Sequence, residues 1–300
     1  MHLLRKKIVL KSGFDYLVMI QFLSASFLFF SCFNFKARRP SLADKKIENW
    51  VCVYSENVFP EIINQFDIAV LDADAHPDLS KIDHEKSLIF GYVSLCEVGP
   101  YRWYWEQIKN EKWVLGKNKQ WDSAFIDVRS PEWKSFILNT VIPRIVKKGF
   151  RGLFLDTIDS AEYLEKYNPE KKHPDMMKHM VSLIKAIRKQ YPDLFLIANR
   201  GFTILPEIAD AIDAVVAESV FVEHNFANAS SRLREKQEIL PTISLLQKLQ
   251  KKQRLLILSL DYVEQGDERT RQEVQSVSRQ YGFVPYTSTP ALDKVVEQNE

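Results

Sequence analysis

Two segments deliver a carboxylate at the end of an apolar run. In "RGLFLDTIDS" (151–160), Gly152 to Leu155 lead straight into Asp156, and Asp159 follows three positions later. In "DAVVAES" (213–219) the run ends on Glu218. A continuous apolar run bounded by turn residues reads as a central strand of a parallel sheet, covered on both faces. The carboxyl ends of such strands face the ligand crevice, so these acids stand where the core stops and chemistry starts. Further strand-like runs end in Asp72 and Asp74 followed by His76, in Glu97, in Asp127, in Asn199-Arg200-Gly201 and in Asp261-Tyr262. A ring of acids suits cleavage of a glycosidic bond, in which one carboxyl protonates the leaving oxygen and another attacks or activates water. Burial and mutual repulsion keep one of the two protonated while the other stays ionised.

Several members of the ring have plainer readings. Asp159 lies three residues before Glu162, the spacing of a capping box, and is expected to cap a helix. Asp127 precedes Ser130-Pro131 and suits a turn. Asp72 and Asp74 flank a strand end, so one of them is expected to face solvent. His76, His84 and His173 are dispersed and read as surface or capping residues. In "YRWYWEQI" (101–108), Trp103 and Trp105 alternate and do not share one helix face, which leaves packing and sugar stacking both open.

The elements that must position these groups alternate along the chain. Strands are expected at 50–54, 67–73, 87–95, 123–128, 152–156, 194–199, 214–219 and 254–262. Helical patterns separate most of them. The segment 130–149 has Ser130 as N-cap, Pro131 in the first turn and Gly149 as stop. The segments 173–191 and 230–252 share the helical period, and Pro241 is expected to kink or split the second. Eight strands alternating with helices predict a single-domain α/β fold, a (β/α)8 TIM barrel over residues 48–290, with a tail at 291–300. The piece "GFVPYT" (282–287) is expected only to close the barrel, because Pro285 argues against a central strand. A doubly wound sheet would give a similar string, but no Gly-rich phosphate loop follows the first strand.

The chain of 300 residues is 46% hydrophobic and 27% charged, too apolar for disorder. Its start differs from the rest. Arg5, Lys6, Lys7 and Lys11 precede an almost wholly apolar run at 16–32, the layout of an export leader. An uncleaved anchor is the second choice, because the run is short for a membrane span. The first 40 residues hold seven Lys/Arg and one acid, so the remainder carries 34 basic and 38 acidic residues, net −4. That balance does not describe a nucleic-acid surface. Cys32 closes the apolar run in "FFSC", which resembles a loose lipobox with Cys32 as the lipidated residue. A signal-peptidase region that merely contains a cysteine reads equally well. Residues 33–47, with Pro40, read as a tether. Cys52 and Cys96 are expected as unpaired buried thiols, and no cysteine spacing suggests a zinc site.

Five stretches carry a resemblance: "FGYVSLCEVGPYRWYW", "FIDVRSPEW", "KGFRGLFLDTIDSAEY", "IANRGFTIL" and "VVAESVF". Together, in collinear order from Trp50 to Ser288, the chain resembles glycoside hydrolase family 114, the TIM-barrel endo-α-1,4-polygalactosaminidases. The most specific piece is the run at 149–159. The resemblance implies hydrolysis of α-1,4-linked galactosamine in partly de-N-acetylated exopolysaccharide by an Asp and a Glu, which match Asp156 and Glu218. Asp156 is then expected as nucleophile and Glu218 as general acid and base in a retaining displacement. Tyr54, Asp74, Tyr92, Glu97, Asn199, Asp261 and Tyr262 are expected to contact a cationic polymer, with no metal or organic cofactor. Two departures are Cys96, where the family often has Gly, and Arg151, where it often has Asp. A non-catalytic carbohydrate-binding barrel and a glycosidase for another α-linked amino sugar are the alternatives.

Overall fold

The computed structural model describes residues 41–225 and 230–296. The leader, Cys32 and the first part of the tether lie outside the described residues. From Pro40 on, the chain forms one compact unit. Three strands open it: β1 (Trp50–Val53), β2 (Ile68–Leu71) and β3 (Leu88–Ser94). A small antiparallel sheet follows, made of β4 (Glu97–Val98), β5 (Val114–Asn118) and β6 (Ser123–Ile126) in the order β4-β6-β5. Next come β7 (Gly152–Asp156), β8 (Phe195–Asn199) and β9 (Ala214–Glu218), then a hairpin of β10 (Val222–Asn225) and β11 (Ser230–Leu233). The described strands end with β12 (Leu256–Tyr262) and β13 (Val284–Ser288).

Eight of these, in the order β1-β2-β3-β7-β8-β9-β12-β13, form one all-parallel sheet. It curls into a nearly closed TIM-type barrel. The first four residues of β7 and of β9 are buried, as continuous apolar runs require. Side chains seal the seam between the two end strands. The Trp50 indole donates to the Val284 carbonyl at 3.0 Å, and its ring lies 5.8 Å from that of Tyr286.

Two strand expectations change places. The run at 123–128 enters the small antiparallel sheet, not the barrel, and the eighth barrel strand is Val284–Ser288. Pro285 is tolerated there because β13 is ladder-bonded only to β12, at the seam of the barrel. The segment 95–151 is therefore one long crossover between β3 and β7, carrying the small sheet and a helix. That helix begins as expected, with Ser130 Oγ accepting from the Trp133 amide and Pro131 in the first turn. A π-turn at Ile137–Val141 lies just ahead of Pro143, whose ring clashes with a normal α-turn.

The segment expected as one helix from 230 divides. Residues 230–233 form β11, and the helix is Lys236–Gln253, capped by the reciprocal Glu235–Glu238 box. Pro241 lies inside this helix without splitting it. The helix Met176–Gln190 buries Met176, Met180, Leu183, Ile184 and Ile187, a stripe at helical spacing. The ends of the domain also shift. Leu42, expected in the tether, is fully buried, and Asp44 pairs with Arg254 at 2.6 Å. In the expected tail, the Leu292 carbonyl accepts from the Tyr54 amide at 2.6 Å, which ties the chain end back to β1.

Candidate active site

All eight barrel strands run the same way, so their last residues collect on one face. Three neighbours, β7, β8 and β9, end in Asp156, Asn199 and Glu218. Each is followed at once by a residue in the left-handed region: Thr157 at φ 59°, Arg200 at φ 52° and Ser219 at φ 54°. The turn after β8 continues through Gly201 at φ 63°, where an added Cβ would lie 2.4 Å from Ile158 Cγ2. Glycine is needed there for both conformation and space.

The three side chains converge. Asn199 Nδ2 donates to Asp156 Oδ1 at 2.8 Å and to Glu218 Oε2 at 2.6 Å. The two carboxylate oxygens that share this nitrogen are therefore no more than 5.4 Å apart. The second oxygen of each carboxylate has its own phenol. Tyr92 donates to Asp156 Oδ2 at 2.8 Å, and Tyr262 donates to Glu218 Oε1 at 2.7 Å. Burial, then the charge of Asp156, raises the Glu218 carboxyl above the usual glutamate range, against the pull of Arg200 and the two donors. Burial likewise holds the phenols of Tyr54, Tyr92 and Tyr262 well above their ordinary value, so they act as donors. Tyr54, just after β1, packs edge-on against Tyr92 at 5.3 Å between centroids.

A second layer fixes the first. The Arg102 guanidinium lies 4.8 Å from the centre of the Tyr92 ring and is itself gripped by Asp72 at 2.9 Å and Asp74 at 3.3 Å. The Thr157 hydroxyl accepts from the amides of Leu95 and Cys96 and donates to the Asp156 carbonyl, which ties the end of β7 to that of β3. Arg102 and Thr157 were not anticipated from the sequence. An arginine inside "YRWYW" and a threonine after an aspartate carry no local mark of these roles.

The remaining acids occupy other places. Glu97 is buried at the start of β4, where Ser123, Ser160 and Asn118 all donate to it. It was expected to contact substrate, but its oxygens are taken up in joining the small sheet to the helix after β7. Asp261 was expected in the same role, yet it is fully buried, and its Oδ1 accepts from the amides of Phe221 and Val222. It holds the loop that follows Glu218. Asp74 is shared between Arg102 and Lys148. Asp127 is turned away by a two-pronged pair with Arg129 and is held below the usual aspartate range by it. Asp159 is not a cap: Thr157 occupies that position, and Asp159 pairs with Arg200 at 2.8 Å with 43% of its side chain exposed. Trp103 lies under the Arg144 guanidinium, at 4.5 Å. Among the described residues, Cys52 and Cys96 are both buried free thiols, and no group of three or more His, Cys, Asp or Glu could hold a metal ion.

A groove of about 830 Å³ lies between Gln120 of the β5–β6 turn and Glu223, His224, Ser231 and Arg232 of the β10–β11 hairpin. The His224 ring meets Tyr262 edge-on at 6.3 Å, so the groove adjoins the Glu218 side of the mouth.

The fold has counterparts. The glycoside hydrolase domain of PelA from Pseudomonas aeruginosa superposes with a TM-score of 0.71 at 25% identity, covering 83% of this chain and 98% of that domain. Ega3 of Aspergillus fumigatus, solved in complex with galactosamine, gives a TM-score of 0.65 at 11% identity, over 87% and 97% of the two chains, a likeness of fold. An uncharacterized protein of Methanocaldococcus jannaschii is 26% identical over 229 residues, 70% of this chain and 64% of that protein's length. The pattern of glycoside-hydrolase family GH114 matches residues 34–300, and the chain belongs to that family.

Proposed function

We propose that this chain hydrolyses α-1,4-linked galactosamine within partly de-N-acetylated polysaccharide, with retention of configuration. Asp156 attacks the anomeric carbon as Glu218 gives its proton to the departing glycosidic oxygen. Glu218 then takes a proton from water, whose oxygen displaces the Asp156 carboxylate from the sugar. The observation that carries the reading is the single Asn199 nitrogen bonded to both carboxylates, with the bonded oxygens at most 5.4 Å apart. Retaining pairs stand about 5–5.5 Å apart, and inverting pairs about 6.5–9.5 Å. The raised Glu218 carboxyl suits the role of proton donor.

Family membership and the galactosamine bound by Ega3 support an amino sugar as substrate. Around the pair, Tyr54, Tyr92 and Tyr262 border the place of the reacting sugar, while both amide protons of Asn199 go to the carboxylates. The basic and apolar leader supports an exported enzyme, free or lipid-linked through Cys32.

The test is release of reducing ends from galactosamine, N-acetylgalactosamine and mixed polymers, with the anomer of the first product read by proton NMR. Release from the de-N-acetylated polymers with an α product is expected. Binding without release would replace the proposal with a carbohydrate-binding barrel. Release only from another amino-sugar polymer would change the substrate, and a β product would make the enzyme inverting.

A further inference from the structure

We infer that Asn199 is a positioning residue for the pair: one side-chain amide holds both carboxylates and sets their spacing. The inference deepens the function proposed above and rests on that reading only for its kinetic arm. Its basis is how the amide is used. Both protons of Nδ2 go to carboxylate oxygens, one on each partner. The Oδ1 atom is buried and, among the described residues, has no hydrogen-bond partner. An asparagine serving packing alone would place its oxygen against a donor, because an unpaired buried carbonyl is costly. Turning the amide over would point that oxygen at two acceptors, so the two carboxylates dictate the orientation. The orphan oxygen follows from serving both acids with one group.

The place of Asn199 in the chain supports the same role. β8 lies between β7 and β9 in the sheet, so among the described strands its last residue is the one end adjacent to both Asp156 and Glu218. Asn199 is buried, and its backbone is ladder-paired with Val216. A side chain delivered from a rigid strand holds both neighbours without a flexible intermediate.

The consequence is a coupled titration. A donor to an ionised carboxylate favours the charged form, and here one donor group serves both members. Each member also has a private donor, Tyr92 for Asp156 and Tyr262 for Glu218. The other groups that face the pair are Cys52 on β1, Tyr54 just after it, Arg200 after β8, Asp159 after β7, Asp261 on β12 and Glu97 on β4. None of these bonds to both carboxylates. Removing Tyr92 or Tyr262 should therefore disturb chiefly one titration, while removing the Asn199 amide disturbs both.

The experiment is ¹³C NMR titration of the side-chain carboxyls in the whole protein, with the pair identified through Asp156→Asn and Glu218→Gln. No substrate is needed, so the result stands whether or not the polymer has been identified. In Asn199→Leu, close in volume and without donors, both macroscopic titrations should move up by about 1–2 pH units, the value of a hydrogen bond to a charged group. Asn199→Ala, which leaves room for water, should move both in the same direction by less. Tyr262→Phe and Tyr92→Phe, each removing a donor to one carboxylate alone, should each disturb chiefly one step. With substrate, both limbs of the pH profile of kcat/KM should follow in Asn199→Leu. A shift of one titration alone in both Asn199 variants, or of neither, would overturn the inference. Absence of hydrolysis in the parent would overturn the proposed function and leave the titration result intact.

Discussion

Asp261 offers a test whose sign and size both follow from the structure. Its carboxyl is fully buried, one oxygen accepts two backbone amides, and the other is unpartnered among the described residues. Burial, with a further push from Glu218, raises it from 3.8 to about 7, against the pull of the two amides and Arg234. The folded state therefore holds the Asp261 proton more tightly than the unfolded chain does. The stability from this group is fully present below pH 3.8 and is lost as the pH rises to about 7. At ~1.4 kcal/mol per pH unit the loss amounts to about 4 kcal/mol, an upper bound for a site that relaxes. Asp261→Asn keeps the accepting oxygen and removes the titration. The unpartnered oxygen becomes an unpartnered amine, so that cost nearly cancels. In urea melts the variant should match its parent at pH 4 and exceed it by roughly 2–4 kcal/mol at pH 8. The difference between the two proteins reports this carboxyl together with its coupling to Glu218. The variant should also keep its turnover, because the loop after Glu218 stays bonded. A parent more stable than the variant at pH 8 would refute the reasoning about burial. A folded variant without turnover would restore Asp261 to the substrate contacts.

Two further outcomes are expected. Asp156→Asn and Glu218→Gln should each preserve the fold and lower reducing-end release by about 10³-fold or more, and the double variant should be barely worse than either, as for groups acting as a unit. Near-parental rates in both single variants would remove the pair from the mechanism. Gly152→Ala should cost about 1–3 kcal/mol in urea melts, because its Cβ would lie 2.3 Å from the Phe90 ring and 2.8 Å from the Phe195 carbonyl oxygen. A change below about 0.5 kcal/mol would mean that these strands separate more easily than their packing implies.

The barrel was legible because seven of its eight strands are apolar runs ending in polar residues, and burial on both faces demands that pattern. The exchanged pair shows where the pattern is blind. Residues 123–126 alternate well enough to read as a strand, and they are one, but periodicity does not tell which sheet a strand joins. Pro285 argues against a central strand only if both neighbours need its amide, and the seam of the barrel removes that need. For the site, Asp156, Asn199 and Glu218 stood out as the polar ends of apolar runs. Glu97 and Asp261 stood out for the same reason, yet their carboxylates hold the small sheet and the loop after Glu218. Whether an acid at a strand end meets a ligand or backbone amides depends on which loop passes over it, and that is set by tertiary packing. Asp159 misled in the opposite way. Its spacing from Glu162 fits a cap, but the helix starts from Thr157, and Arg200 from the next strand claims the carboxylate.

The left-handed residues after β7, β8 and β9 explain why an apolar strand should end on an acid here. In a ladder, the last paired residue has its backbone direction fixed on one or both sides. Ser94 is paired with Asp156, Asn199 with Val216 and Leu260 with Glu218. If the strand continued, successive side chains would alternate across the sheet, and the chain would climb away from the mouth. A left-handed residue in the next position turns the chain at once and leaves the polar side chain on the rim, on the rigid side of the turn. Non-glycine residues in this region cost of order 1–3 kcal/mol each, so three adjacent instances consume a sizeable part of a typical net stability of 5–15 kcal/mol. Local bonds offset some of that cost. The Thr157 hydroxyl takes the Leu95 and Cys96 amides, Arg200 binds Asp159 and the Glu218 carbonyl, and the Ser219 amide donates to Leu260. The same bonds join each turn to its neighbour, so the three strand ends are fixed as a set. Two carboxylates that repel each other remain within reach of one amide because the strands, not the loops, hold them there.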